Sequence, residues 1–184
     1  MSADALILTG PPGAGKTTTA RALARTYPRC VHLRTDDFWH CIASGAIPPY
    51  LPEADEQNQT VMRVIRQAAF GYTAGGFTTV IDGIIGPWML EHFDTSNDVA
   101  ELPRLHYVVL RPDREEALRR AQARTAADAL VDEAPIRSMW DQFAALGALE
   151  SHVIDTTGHA PGDTLRAVAD AIAGGRFLLG TAGP

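Results

Sequence analysis

Short apolar runs alternate with helical patterns along almost the whole chain. Ala5-Leu6-Ile7-Leu8-Thr9 carries no charge and suits a strand buried on both faces, and Thr17 to Arg25 follows with helical spacing. Cys30-Val31-His32-Leu33-Arg34 reads as a second strand, ending at Thr35-Asp36-Asp37-Phe38. The polar stretch from Ser44 to Glu56 contains Pro48, Pro49 and Pro52, which oppose regular structure. Gln57 to Ala74 brings Val61, Val64, Ile65, Ala68 and Ala69 to one helical face and stops at Gly75-Gly76. Thr78 to Asp82 reads as the third strand and Leu105 to Leu110 as the fourth. Pro112 to Thr125 reads as a helix with an arginine-rich outer face, and Ala126 to Pro135 as a loop. Ile136 to Leu149 returns to helix, His152 to Asp155 is a fifth short strand, and Thr164 to Ala173 closes the alternation, with a tail after Gly174 expected to fray.

Five short apolar strands separated by helices imply an α/β fold, a three-layer, doubly wound, five-stranded parallel sheet that holds ligands outside the carboxyl ends of its strands. Asp36, Asp37, Asp82 and Asp155 each follow an apolar strand run, so that edge would collect their carboxylates, although a lone strand-end Asp more often caps a helix or forms a turn. A content of 46% hydrophobic and 21% charged residues in 184 is that of one globular domain. The net charge of −6 argues against a general nucleic-acid surface, which needs a basic stripe. Cys30 and Cys41 are too few and too isolated for a zinc site or a disulfide framework, which fits a reducing cytoplasm. No export signal and no stretch of about 18 apolar residues is present, so no membrane partner is expected.

The most specific chemistry lies between the first strand and the first helix. Gly10-Pro11-Pro12-Gly13-Ala14-Gly15-Lys16-Thr17 matches the GxxxxGK[ST] phosphate loop at every defined position, and Lys16 is the only lysine in the chain. Every other basic residue except histidine is arginine, so position 16 needs a compact ammonium on a flexible stem rather than a planar fork. The candidate nucleotide-binding residues are Gly10, Pro11, Pro12, Gly13, Ala14, Gly15, Lys16, Thr17 and Thr18, with the helix dipole aimed at the anion and the Thr17 hydroxyl a candidate ligand for Mg²⁺.

Phosphoryl transfer also needs a group to orient and deprotonate the acceptor hydroxyl, and positive charge on the migrating phosphoryl. Asp36 or Asp37 can supply the first, and Asp82 can share Mg²⁺ with Thr17, largely through water. Arg120 and Arg124 lie four residues apart on one helix face before a loop and can swing over the γ-phosphate, or else pair with Glu115 and Glu116 on a solvated face, the role expected of Arg119.

These motifs resemble those of the small P-loop kinases, most nearly the chloramphenicol phosphotransferase-like group, with gluconate and shikimate kinases as relatives. The resemblance runs from about residue 5 to 173 and rests on the phosphate loop, His32 to Phe38, Val80-Ile81-Asp82-Gly83, Arg120 and Arg124, Asp141 to Leu146, and Val153 to Gly158. It implies the P-loop nucleoside-triphosphate hydrolase fold of the nucleotide and shikimate kinase type, in one domain over residues 1–184, with an acceptor-binding segment at about 38–60 and a lid at about 125–135. It also implies catalytic roles for Lys16, Asp36, Arg120 and Arg124, and Asp36 is a better match than Asp37 for the group acting on the acceptor. ATP and Mg²⁺ are the expected cofactors, and the expected activity is transfer of the γ-phosphate to a hydroxyl of a small molecule, such as an antibiotic or other natural product, by a cytoplasmic monomer or homodimer.

Asp36, Asp37, Phe38, Trp39 and Trp88 are the candidate acceptor-binding residues, the aromatics forming either a wall for a partly apolar substrate or the packing of a small helical subdomain. Arg34, Arg63 and Arg66 are the cations available nearby in sequence, but no charged clamp for a sugar-acid carboxylate is evident. Two other classes share the phosphate loop: a nucleotide-sugar kinase similar to zeta toxins, and a nucleotide-binding switch or ATPase with no small acceptor.

Overall fold

The three inner apolar runs become strands closed off from water on both faces, as expected of a parallel sheet covered by helices, while the two edge strands are only partly covered. In the computed structural model, which describes residues 3–94, 103–125 and 129–179, the strands are β1 (Ala5–Thr9), β2 (Cys30–Arg34), β3 (Thr78–Asp82), β4 (Leu105–Leu110) and β5 (Val153–Ile154). They form one parallel sheet in the order β2-β3-β1-β4-β5. Alternate side chains feed two cores. Ile7, Ile81, Tyr107 and Val109 pack with Met62, Ile65 and Phe143 on one face. Leu6, Leu8, Val80, Val108 and Leu110 pack with Leu23 and Val168 on the other.

The helices are α1 (Lys16–Ala24), α2 (Thr35–His40), α3 (Asp55–Ala74), α4 (Arg114–Gln122), α5 (Glu133–Asp141) and α6 (Pro161–Ala173). Several boundaries differ from those expected. Thr35–His40 is a short helix rather than the fading end of a strand, so Asp36 and Asp37 occupy a first helical turn. On α3 the buried positions are Asn58, Val61, Met62, Ile65, Ala69 and Thr73, whereas Val64 is exposed. Pro135 lies in the first turn of α5, where the missing N–H breaks no helical hydrogen bond, so the helix starts before the expected end of the loop. The helix expected through Leu149 ends at Asp141, and the chain turns through Gly147 at φ 58° into a 3₁₀ segment, Gly147–His152.

The tail expected to fray from Gly174 is ordered as far as Leu179. β5 pairs only with Val109 and Leu110, and the open first half of β4 is taken by the chain after α6: Tyr107 N donates to Phe177 O at 2.9 Å and Leu179 N to Leu105 O at 2.8 Å. Phe177 is fully buried there. Residues 126–128 of the expected lid and the last five residues of the tail lie outside the described residues. Among the described residues, no helix is long and apolar enough to cross a membrane.

Candidate active site

Strand register brings the chemistry to one edge. Leu8 is opposite Asp82 and Asp82 opposite Arg34, so the phosphate loop, the end of β3 and the start of α2 leave the sheet together. The segment after β3 is held there: Gly83 N donates to Leu8 O at 3.3 Å and Ile85 N to Thr9 Oγ1 at 2.9 Å.

Two glycines of the loop admit no side chain. At Gly10 (φ 139°) a Cβ would stand 2.0 Å from Leu110 O, and at Gly13 (φ 82°) 2.0 Å from Ala117 O. The loop is therefore pressed against the end of β4 and against α4, and α1 begins from left-handed Gly15 with no side-chain cap. Among the described residues, the N–H groups of Gly13, Gly15, Lys16, Thr17 and Thr18 find no acceptor in the protein. Donors left open at a helix start form a site for an anion, and a polyphosphate fits it.

Lys16 is buried, and its Nζ donates to Gly10 O at 2.8 Å and Pro11 O at 2.9 Å. Its pKa is lowered to about 8, first by loss of water and next by the charge of Arg124, against the opposing pull of Asp82 and Asp36. The charges of three predicted residues thus reach the fourth, Lys16, at the head of the loop. Lys16 costs stability in full below about pH 8, because the folded chain holds the proton at a penalty that the unfolded chain escapes; the cost fades as pH rises toward 10.5, the unfolded value. Lys16→Met should therefore be more stable than the parent at pH 7, by on the order of 1–3 kcal/mol, with the gap closing between pH 8 and 10.5. Urea melts across that range check this; a variant no more stable at pH 7 would contradict it.

Thr17 is half-buried beside the loop. Asp82 is 3% exposed and accepts a hydrogen bond from His32 Nε2 at 2.8 Å. Among the described residues no group of three or more His, Cys, Asp or Glu could hold a metal by itself. One hydroxyl and one carboxylate suit Mg²⁺ shared with phosphates, which keeps most of its water.

The two carboxylates of α2 separate. Asp37 pairs with Arg34 at 3.4 Å, whereas Asp36 is exposed and its charge reaches Lys16. The lid arginines separate as well. Arg120 pairs with Glu116 and donates to Thr156 O and His159 O, both at 3.2 Å, so it ties the loop after β5 to α4. The guanidinium of Arg124 has no ion-pair or hydrogen-bond partner among the described residues, yet it lies close enough to act on Lys16. Arg119 pairs with Glu116 at 3.8 Å. Asp155 accepts from Thr157 N and Oγ1 at 2.8 and 2.6 Å, a turn-forming role.

The aromatic candidates divide by burial. Phe38 and Trp39 are half-buried against the core, and Trp39 Nε1 donates to Asn58 Oδ1 at 2.8 Å. Trp88 is 42% exposed; its indole lies over Gly86 and meets the Phe143 ring edge-on at 5.8 Å. Ile84 is also exposed, two residues beyond Asp82. The sequence reading missed the residues that fasten the Pro-rich strap. Gln57 exchanges hydrogen bonds with Ile47 N and O at 2.9 and 2.8 Å, and Asn58 Nδ2 donates to Pro49 O at 2.8 Å. The adjacent amides just after three prolines were the available signal.

Two surface cavities lie elsewhere. One of about 500 Å³ sits by Asp4 and Arg104, at the amino ends of the strands, and one of about 250 Å³ is lined by Arg63, Arg66, Gln67, His92 and Asp94. No phosphate-loop residue lines either.

The same fold recurs in solved structures of two kinases and a resistance protein. A sugar kinase from a Janibacter species aligns at TM-score 0.68 with 19% identity over 93% of this chain and 95% of its own. Shikimate kinase from Acinetobacter baumannii, in complex with shikimate, gives 0.65 with 22% identity over 95% of each chain. The Deinococcus radiodurans tunicamycin resistance protein gives 0.64 with 15% identity over 97% of this chain and 99% of its own. At these identities the likeness is one of fold. The family model described as an AAA domain matches residues 6–146, from the first strand through the phosphate loop, Arg120 and Arg124, and the chain belongs to that family of P-loop proteins.

Proposed function

We propose that the chain is an ATP- and Mg²⁺-dependent kinase that transfers the γ-phosphate to a hydroxyl of a small, uncharged molecule. The observation that carries this reading is a phosphate loop with open N–H donors, at whose head the buried Lys16 Nζ is held by the Gly10 and Pro11 carbonyls and lies within reach of the charges of Asp36, Asp82 and Arg124. Lys16 exchanges the Gly10 and Pro11 carbonyls for β- and γ-phosphoryl oxygens. Asp36 accepts the proton of the acceptor hydroxyl as its oxygen attacks the γ-phosphorus, and the bond to the β–γ bridging oxygen breaks to release ADP. Thr17 and, through water, Asp82 would hold Mg²⁺, which would supply neutralising charge to the phosphates. Arg124 meets the charge that spreads over the migrating phosphoryl. Asp37 is left as the partner of Arg34.

The neutral acceptor follows from the cations already spoken for. Arg34 is paired with Asp37, Arg63 donates to Thr60, Arg66 stacks on Phe70, and Arg120 is paired with Glu116. Exposed Ile84 and Trp88, on the segment that follows Asp82, offer apolar surface instead. ADP release measured with neutral aromatic or polyol alcohols against sugar acids tests the reading. Faster release with sugar acids would overturn the neutral acceptor, and release independent of any acceptor would favour an ATPase.

An arginine that meets charge only during transfer stabilises the transition state more than bound ATP. Arg124→Ala should thus lower turnover roughly 10²-fold with ATP affinity changed only a few-fold, while Arg119→Ala stays near the parent rate. Steady-state kinetics beside equilibrium ATP binding check the split. Equal losses in both quantities would assign Arg124 to ground-state binding.

A further inference from the structure

Asp82 is withdrawn from water at the end of β3, where a carboxylate without a hydrogen-bond partner would be costly. Its partner comes from the neighbouring strand. His32 Nε2 stands 2.8 Å from Asp82 Oδ1, and since a carboxylate only accepts, the imidazole N–H donates. The parallel register fixes this geometry: His32 is opposite Val80 and Arg34 opposite Asp82, so His32 and Asp82 share a sheet face one diagonal step apart. Oδ2 has no partner among the described residues and is not sealed from solvent.

We propose that His32 is a positioning residue, which fixes the rotation of the Asp82 carboxylate so that Oδ2 faces the water shell of nucleotide-bound Mg²⁺. The inference rests on the kinase reading above. One hydrogen bond on Oδ1 removes the freedom to turn away, and outer partners of this kind typically change metal affinity about 10–100-fold when lost. His32 touches neither nucleotide nor acceptor in this account; it acts through Asp82.

Calorimetric titration with ADP, with Mg²⁺ or with EDTA, tests this without any acceptor. The parent protein should bind ADP more tightly with Mg²⁺. His32→Val, which keeps a strand-forming side chain, should lose about tenfold of that gain while binding ADP in EDTA as the parent does. His32→Gln, whose amide N–H can reach the carboxylate, should recover most of it. An undiminished Mg²⁺ gain in His32→Val would overturn the positioning role alone. Equal loss in the Val and Gln variants, with lowered thermal stability, would reduce His32 to a packing residue. Failure of the parent to bind ADP at all would instead overturn the kinase reading.

Discussion

Lys16→Ala will abolish phosphoryl transfer, by at least roughly 10²–10³-fold, the loss expected when one preorganised charge donor is removed from a transition state. Lys16→Arg will fail nearly as badly. The ammonium lies buried within 2.9 Å of two loop carbonyls, and the loop is held against Leu110 O and Ala117 O by glycines that admit no Cβ. A planar guanidinium has neither the size nor the shape for that space. Because the buried Lys16 charge costs stability in the folded chain, the loss in the alanine variant should occur in a protein at least as stable as the parent, which separates function from folding. Turnover and melting curves on the same preparations check both. Full activity in the arginine variant would remove the lysine from the reaction.

Asp36→Asn will lower turnover roughly 10²–10⁴-fold, the range for losing a general base, with nucleotide affinity nearly unchanged. Asp37→Asn will have little effect, because the partner of that carboxylate is Arg34, at 3.4 Å. The sequence left both members of the pair open by position. The contrast between the two asparagine variants decides the assignment, and an inactive Asp37 variant beside an active Asp36 variant would reverse it.

The parts legible beforehand are those whose signal is local. The phosphate loop is one contiguous motif, and β1 and β4 are mostly apolar and buried at every position because helices cover both faces of the sheet. What stayed hidden depends on distant partners. Arg120 read as a lid arginine by spacing, but its guanidinium is spoken for by carbonyls 36 and 39 residues away. His32 looked like one strand residue among five until pairing brought it to Asp82, 50 positions on. Trp39 was open as ligand wall or subdomain packing, and only the fold shows its indole N–H fastened to Asn58 on α3. The helix at Thr35–His40 is too short for periodicity to announce, and the pairing of Phe177 to Leu179 with β4 arises only because β5 stops after two residues.

The most direct test of the central claim is phosphorus NMR of the protein with Mg·ATP and a panel of neutral hydroxylated compounds. The account predicts that ATP falls in step with a new phosphate-monoester resonance, with one acceptor at least, and that the Asp36→Asn protein produces neither change. Orthophosphate as the only product, or ATP that stays intact with every acceptor, would contradict it.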